Sequence, residues 1–379
     1  MKRRRKLSDK LRVVEISEDI IINILHHLPS KSLAKFKCVS KSWLKYISDS
    51  SLSYSCRSKL WRPQPYLVGF FYQARDTCEP SKIHFFFSSE ESSLAIDDCL
   101  DQSVTFLGRT AYIVASSNGF LLCNKQRVYY VYNPATRQSV ALPKTQSKMN
   151  DPTVGFICKV DDPDKDVISF TVIRYWVSLS NVTIESFTSE TNVWTVSIIL
   201  AVPLRPYFSN YMKSASAGVI DGVFCWLDQG PQITVYDSVN KSFWALEFPG
   251  EMVPAIANYF LGFSGGNFYF ASYVKTAITV WQLKSNIRSQ NALWVKKYET
   301  NIATPVPLGL TGSLHVEVQN MDIHPTIPNI FYLDVRGKVI SYDMETDIPE
   351  LVHDFGEYWW RTKHFKLFSY EWHQWPRLL

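Results

Sequence analysis

The sequence predicts an α+β multi-domain chain, with a small helical front followed by an all-β body made of repeated sheets. Three observations carry this. Aromatic residues make up 15% of the 379 positions, yet residues 1–60 hold only four of them, Phe36, Trp43, Tyr46 and Tyr54. The other 51 fall in the body, and aromatic side chains favour the pleated, half-buried surfaces of sheets. Helical periodicity is confined to residues 17–47, whereas from Arg62 onward strand-like runs alternate with turn residues. Finally, one strand–turn–strand unit recurs along the body. The length fits one or two domains with a sizeable core.

The front reads as three short helices. Ser17 followed by Glu18 and Asp19 is a start signal, a hydroxyl able to cap free amides and then acids at the positive end of the dipole. Ile20, Ile21, Ile24, Leu25 and Leu28 line one helix face, and Pro29 stops the helix. Ser30 is placed to cap a second helix with Leu33 and Phe36 inward. Ser40 is placed to cap a third that carries Trp43, Leu44 and Ile47. Three such helices share too few apolar positions for an independent core, so they need either the body or a partner to cover them.

The stretch Ile16 to Ile47, ISEDIIINILHHLPSKSLAKFKCVSKSWLKYI, resembles the F-box in its plant form. The likeness lies in the acid pair before the aliphatic helix, then Leu28-Pro29, Lys31-Ser32-Leu33, Phe36-Lys37-Cys38-Val39 and Lys41-Ser42-Trp43. Ile16-Ser17 departs from the family's usual Leu-Pro, which implies weakened rather than lost docking. The resemblance implies binding to the Skp-type adaptor of a Skp–cullin–F-box ubiquitin ligase, and through it to cullin. By the family's pattern the contacts would come from Ile16, Ile20, Ile24, Leu28, Pro29, Leu33, Cys38, Val39 and Trp43.

In the body, a β-branched or aromatic run, a polar turn and a second apolar run recur as VYYVYNPATRQSVALP (128–143), TIESFTSETNVWTVSII (183–199) and ITVYDSVNKSFWALEFP (233–249). Looser copies begin at Ile83, Ile278 and Val339. Anchored on Phe87, Tyr132, Phe187, Tyr236, Trp281 and Tyr342, the spacings are 45, 55, 49, 45 and 61. Periods near 50 belong to β-propeller blades of the kelch kind, whose faces are buried only by neighbouring blades. A β-sandwich with long hairpins is the alternative. A single diglycine, Gly265-Gly266, makes the repeat degenerate as kelch. The stretch SSNGFLLCNKQRVYYVYNPATRQSVALP (116–143), with VGF (154–156), GVFCWLD (222–228) and SYEWHQW (369–375), resembles the F-box-associated domain of plant F-box proteins. That resemblance implies a kelch-like, propeller-type β domain. The expected organisation is a basic, disordered tail over 1–12, an F-box over 13–60 and the β domain over 61–379.

Charge is uneven. Of the net +5, residues 1–12 contribute +6 and residues 13–60 a further +3, which leaves the body at −4. A mildly acidic body lacks the footprint that a phosphate backbone requires, so nucleic acid is not an expected partner. No apolar run approaches the roughly 18 residues of a membrane span, and Glu15, Glu18 and Asp19 interrupt any signal-peptide reading. The seven cysteines are odd in number and show no C-x-x-C spacing, which favours a reducing compartment, cytoplasmic and/or nuclear. Lys2 to Lys6 reads as a solvated tail or a nuclear-import signal.

Chemical motifs fail on inspection. Gly262-Phe263-Ser264-Gly265-Gly266 satisfies G-x-S-x-G, but a strand pattern follows where the nucleophile elbow needs a helix. A calcium loop starting at Asp162 has Val167 where glycine belongs and Ile173 where glutamate belongs. His26 and His27 point in different directions on a helix. No cofactor and no catalytic residue is expected. The resemblance therefore implies a non-catalytic substrate-recognition subunit that captures an unidentified target protein for ubiquitination. A propeller-fold hydrolase or glycosidase with a helical N-terminal cap is the alternative, and an adaptor-bound regulator acting without degradation is a third reading.

Overall fold

The computed structural model describes residues 16–26, 36–48, 66–75, 82–90, 92–93, 100–104, 107, 111–147, 152–159, 168–178, 181–200, 219–220, 222–227, 232–250, 258–289, 291–302, 318–356 and 364–372. They divide into two units, Met1–Arg62 and Pro63–Leu379. The first contains α1 (Glu18–His26) and α2 (Lys41–Ser48).

The second unit is a six-bladed β-propeller. It opens with β1 (Tyr66–Arg75) and β2 (Ile83–Phe87). Blade 2 is β3 (Tyr112–Ser117), β4 (Phe120–Lys125), β5 (Val128–Asn133) and β6 (Gln138–Ala141). Blade 3 is β7 (Thr153–Lys159), β8 (Ser169–Ser178), β9 (Asn181–Thr188) and β10 (Val193–Leu200). Blade 4 is β11 (Val219–Ile220), β12 (Val223–Trp226), β13 (Gln232–Asp237) and β14 (Ser242–Glu247). Blade 5 is β15 (Asn258–Ser264), β16 (Asn267–Val274), β17 (Ala277–Leu283) and β18 (Trp294–Asn301). Blade 6 is β19 (Val318–Ile323), β20 (Ile330–Val335), β21 (Lys338–Asp343) and β22 (Ile348–Asp354). The last strand, β23 (His364–Trp372), returns to pair antiparallel with β1 and completes blade 1 in the order β23-β1-β2. All six sequence anchors lie on the third strand of their blade, so the uneven spacing was the true blade period. Six separate sheets rule out the two-sheet sandwich.

The strands read as continuous apolar runs because each blade is buried on both faces. Successive side chains of β4 alternate between two seams: Leu121 and Cys123 pack toward blade 1, Phe120 and Leu122 toward blade 3. Six hydrophobic clusters result, one at each seam. Phe224 and Trp226 meet Ile173 and Tyr175 between blades 3 and 4, for example, and Phe70 meets Tyr332 between blades 1 and 6. First strands crowd the axis, and glycine permits the approach. A Cβ on Gly155 of β7 would stand 2.4 Å from the Phe224 ring, and one on Gly262 of β15 would stand 2.4 Å from Ile323.

The turns joining third and fourth strands repeat one device. Asn133 Oδ1 accepts from Ala135 N at 2.9 Å, Asp237 Oδ1 from Val239 N at 2.9 Å, and Asp343 Oδ1 from Glu345 N at 2.9 Å. Four residues after each cap, Arg137, Lys241 and Asp347 take left-handed φ values of 60°, 53° and 62°. The Asn133 side chain thus fixes the local backbone geometry of its turn. The acidic stretch 161–166 lies outside the described residues.

Blade 3 contains a buried ion pair. Arg174 of β8 donates to Glu185 of β9, and both side chains are buried. Glu185 also accepts from the backbone N–H of Gln146 at 2.5 Å and of Ser147 at 3.0 Å, which fastens the connection from blade 2. The Arg174 guanidinium lies over the Tyr129 and Trp194 rings. Removing one partner strands the other charge, so Glu185→Gln is expected to cost about 3–5 kcal/mol in urea unfolding, and Arg174→Met with Glu185→Leu distinctly less. A loss below about 1 kcal/mol for the single variant would show the pair is not holding the seam.

The closing seam carries two carboxyls. Burial pushes Asp322 of β19 up to about 6, against a hydrogen bond from Ser369 and the charge of Lys366. Burial first, and Asp322 second, push Glu371 of β23 up to about 7. Both folded values exceed the unfolded ones, so their contribution to stability is complete below about pH 4 and is lost as pH rises through about 6 to 7. His324, lowered to about 4 by burial, works in the opposite direction and loses its contribution as pH falls below its ordinary value. Asp322→Asn with Glu371→Gln isolates the carboxyls. Its stability relative to the parent chain should rise steadily between about pH 4 and pH 8 in thermal unfolding, and a pH-independent difference would refute the assignment.

Candidate functional site

The apolar side chains of the helical unit divide into two sets. Leu25 and Ile47 are buried and Ile21 and Ile22 half-buried, which defines the inward side. Ile16, Ile20 and Ile24 recur every four residues along α1 and its lead-in and stand open, the first two 54% exposed. Val39 and Leu44 are also exposed. Among the described residues of this unit, more large aliphatic side chains are exposed than buried, and each one later removed from water is worth about 1.5–3 kcal/mol.

Local chemistry sets this arrangement. The Ser17 carbonyl, rather than its hydroxyl, accepts from Ile20 N at 3.1 Å and Ile21 N at 3.2 Å to begin α1, with Glu18 and Asp19 in its first turn. At α2 the expected cap is present, Ser40 Oγ accepting from Trp43 N at 3.1 Å. Trp43 is half-buried and packs edge-to-face on Phe36, their rings 5.4 Å apart. The Tyr46 hydroxyl donates to Glu18, which raises its pKa and ties α2 to the start of α1.

Of the residues singled out in the sequence, Ile16, Ile20 and Ile24 form one open stripe, while Cys38 and Val39 are exposed in the turn before α2. Trp43 stands beside that turn through Phe36. Leu28, Pro29 and Leu33, with the cap expected at Ser30, lie outside the described residues. Of the apolar residues expected on α2, Leu44 faces solvent while Ile47, one turn on, takes the inward position.

The propeller's motif serine has a structural task. Ser264 is buried and its Oγ donates to the His324 carbonyl at 2.6 Å, latching blade 5 to blade 6, and Gly265 and Gly266 form the β15–β16 turn. A hydroxyl so engaged at a blade seam is not a nucleophile elbow.

Comparison with known proteins follows the same division. The F-box domain matches residues 15–54, and the "F-box protein At3g26010-like, beta-propeller" family matches residues 96–367. The chain belongs to this family of F-box proteins. F-box protein At5g03970 of Arabidopsis thaliana is 28% identical over 246 residues, covering 59% of this chain and 55% of that protein, so the chain spans about half of that relative's length. F-box protein At5g49610 of Arabidopsis thaliana is 25% identical over 351 residues, 85% of this chain and 84% of that one. Among solved structures, an oligogalacturonate lyase in complex with manganese covers 73% of this chain and 71% of its own, at 9% identity and a TM-score of 0.40.

Within the F-box unit, the Ser40 cap is the most testable local determinant. Ser40→Ala should weaken α2 by about 1 kcal/mol, read as faster hydrogen exchange over residues 41–48 with the propeller amides unchanged. Unaltered exchange in α2 would show that tertiary packing, not the cap, starts this helix.

Proposed function

We propose that the protein is a substrate-recognition subunit of a Skp–cullin–F-box ubiquitin ligase. In this reading residues 13–60 dock on a Skp-type adaptor, and through it cullin, while the propeller holds a target protein. The observation that carries it is the open stripe Ile16, Ile20 and Ile24, together with the exposed Val39, in a unit matched by the F-box domain. An aliphatic ridge uncovered on its own unit is what a docking helix presents, and a few such anchors are enough to offset the cost of association.

The chain has no part in bond making in this reading. A conjugating enzyme elsewhere on the assembly supplies the activated ubiquitin, and the receptor raises the effective concentration of a target lysine near it. The blades are read as kelch-like on their 45–61 residue period and the Gly265–Gly266 turn. The place of action is the cytoplasm and/or nucleus. A propeller hydrolase or glycosidase with a helical cap is not favoured, because the one hydrolase-like motif is spent on the Ser264 latch.

Ile20→Asp with Ile24→Asp, on exposed positions, should abolish co-purification of a Skp-type adaptor while far-UV and near-UV spectra of the propeller are retained. Undiminished co-purification would end the docking assignment. For a chain that does bind the adaptor, ubiquitin transfer to a captured partner in a reconstituted ligase separates a receptor from a regulator acting without degradation.

A further inference from the structure

The outer edges of the blades differ in one respect. β6 is four residues and β2 five. β14 ends in Glu247, β18 carries Lys296, Lys297 and Glu299, and β22 carries Pro349, Glu350 and Asp354. Short length, charge and proline are the ordinary protections of a sheet edge. β10 has none of them: Val193–Leu200 is eight residues without a charge or a proline.

Its geometry leaves pairing groups outward. Gln146 Nε2 donates to the Trp194 carbonyl at 2.7 Å, so that carbonyl points away from β9. Residues two apart on a strand share this orientation, which turns the N–H and C=O of Val196 and Ile198 to the same outer side. Nothing among the described residues bonds them. The Gln146 amide, seated one step earlier on the same edge, already stands where a partner strand's peptide group would stand.

The adjoining side chains are apolar and open. Trp176, Thr183 and Ile198 lie in one register row across β8, β9 and β10, with Trp176 43% and Ile198 63% exposed. Val196, also exposed, shares their face beside the neutralised Arg174–Glu185 pair. Two outward residues are far too few for the roughly 1,200 Å² of a stable dimer, but they suit strand addition, where main-chain bonds give affinity and alternate side-chain contacts give selectivity.

We propose that the edge of blade 3 at Val196–Ile198 receives a short extended segment of the target protein, uncharged and apolar at alternate positions, as an added strand. This deepens the receptor reading and rests on it. The test uses the full chain and a fluorescein-labelled peptide, acetyl-Lys-Thr-Val-Thr-Val-Thr-Lys-amide, titrated by anisotropy. Saturable binding below about 1 mM is expected. It should weaken by about tenfold or more when alternate peptide nitrogens are methylated, and equally with Ile198→Pro, which removes an outward donor and leaves the inner ladder intact. Ile198→Lys, with its charge at the edge, should do the same and serves if the proline variant unfolds. Absence of saturable binding, or binding indifferent to both N-methylation and the Ile198 variants, overturns the proposal. So does a chain that sediments as a dimer and becomes a monomer on Ile198→Pro, because a second copy would then own the edge. Adaptor capture is measured on the same samples: if it persists without peptide binding, the edge assignment alone falls, and if it is absent the receptor reading falls.

Discussion

The antiparallel pairing of β23 with β1 is the constraint on which the propeller depends. It runs from Tyr66 opposite Trp372 to Arg75 opposite His364 and brings the last strand of the unit to the innermost place in the blade that opens it. Both faces of that blade are then covered: Phe368 and Tyr370 join the cluster shared with blade 2, and Leu367 joins the one shared with blade 6. Without β23 those two clusters each lose a wall, and every other seam becomes part of an open arc whose end blades expose an apolar face. A ring of blades has no weak end, which is why no blade here needs an apolar surface smaller than its neighbours'.

Polar side chains at the seams take on the task of alignment. Gln73 of β1 donates to the Ala111 carbonyl and accepts from Ile113 N, Ser117 Oγ accepts from Cys158 N, and Asn258 Nδ2 donates to the Val318 carbonyl. The Asp237–Arg288 pair at 2.8 Å does the same between blades 4 and 5. Hydrophobic clusters tolerate small slips of one blade on the next, whereas these bonds fix register because a buried donor left unmet costs about 1–3 kcal/mol. The same logic accounts for polar residues that look chemical in isolation, Ser264 above all.

Much of this was legible in the sequence. The third-strand aromatic anchors gave the blade positions, because a buried third strand needs a large side chain and a capped turn after it, as with Tyr132 and Asn133. The acid pair and isoleucine spacing gave α1. Three things were hidden. Blade 1 is assembled from strands at opposite ends of the unit, a pairing that no local period encodes. The outward orientation of Leu44 was hidden as well, since Trp43, Leu44 and Ile47 fit the periodic rule equally well. The two-residue strand β11 is too short to leave any pattern.

The two units spend apolar surface in opposite ways. Among the described residues, the propeller puts nearly all of its aromatic side chains into six seams, so an open strip such as Trp176–Ile198 is an exception set against a consistent rule. The described residues of the helical unit follow no such rule, since Ile16, Ile20, Ile24 and Val39 are all exposed. An aliphatic ridge costs solubility and lends its own unit little stability, so its retention makes physical sense where another polypeptide completes it. In the receptor reading, once the ridge is docked, a segment held on the propeller is confined near the ligase at an effective concentration set by geometry, and even a weak strand-edge contact is enough to choose which protein is presented.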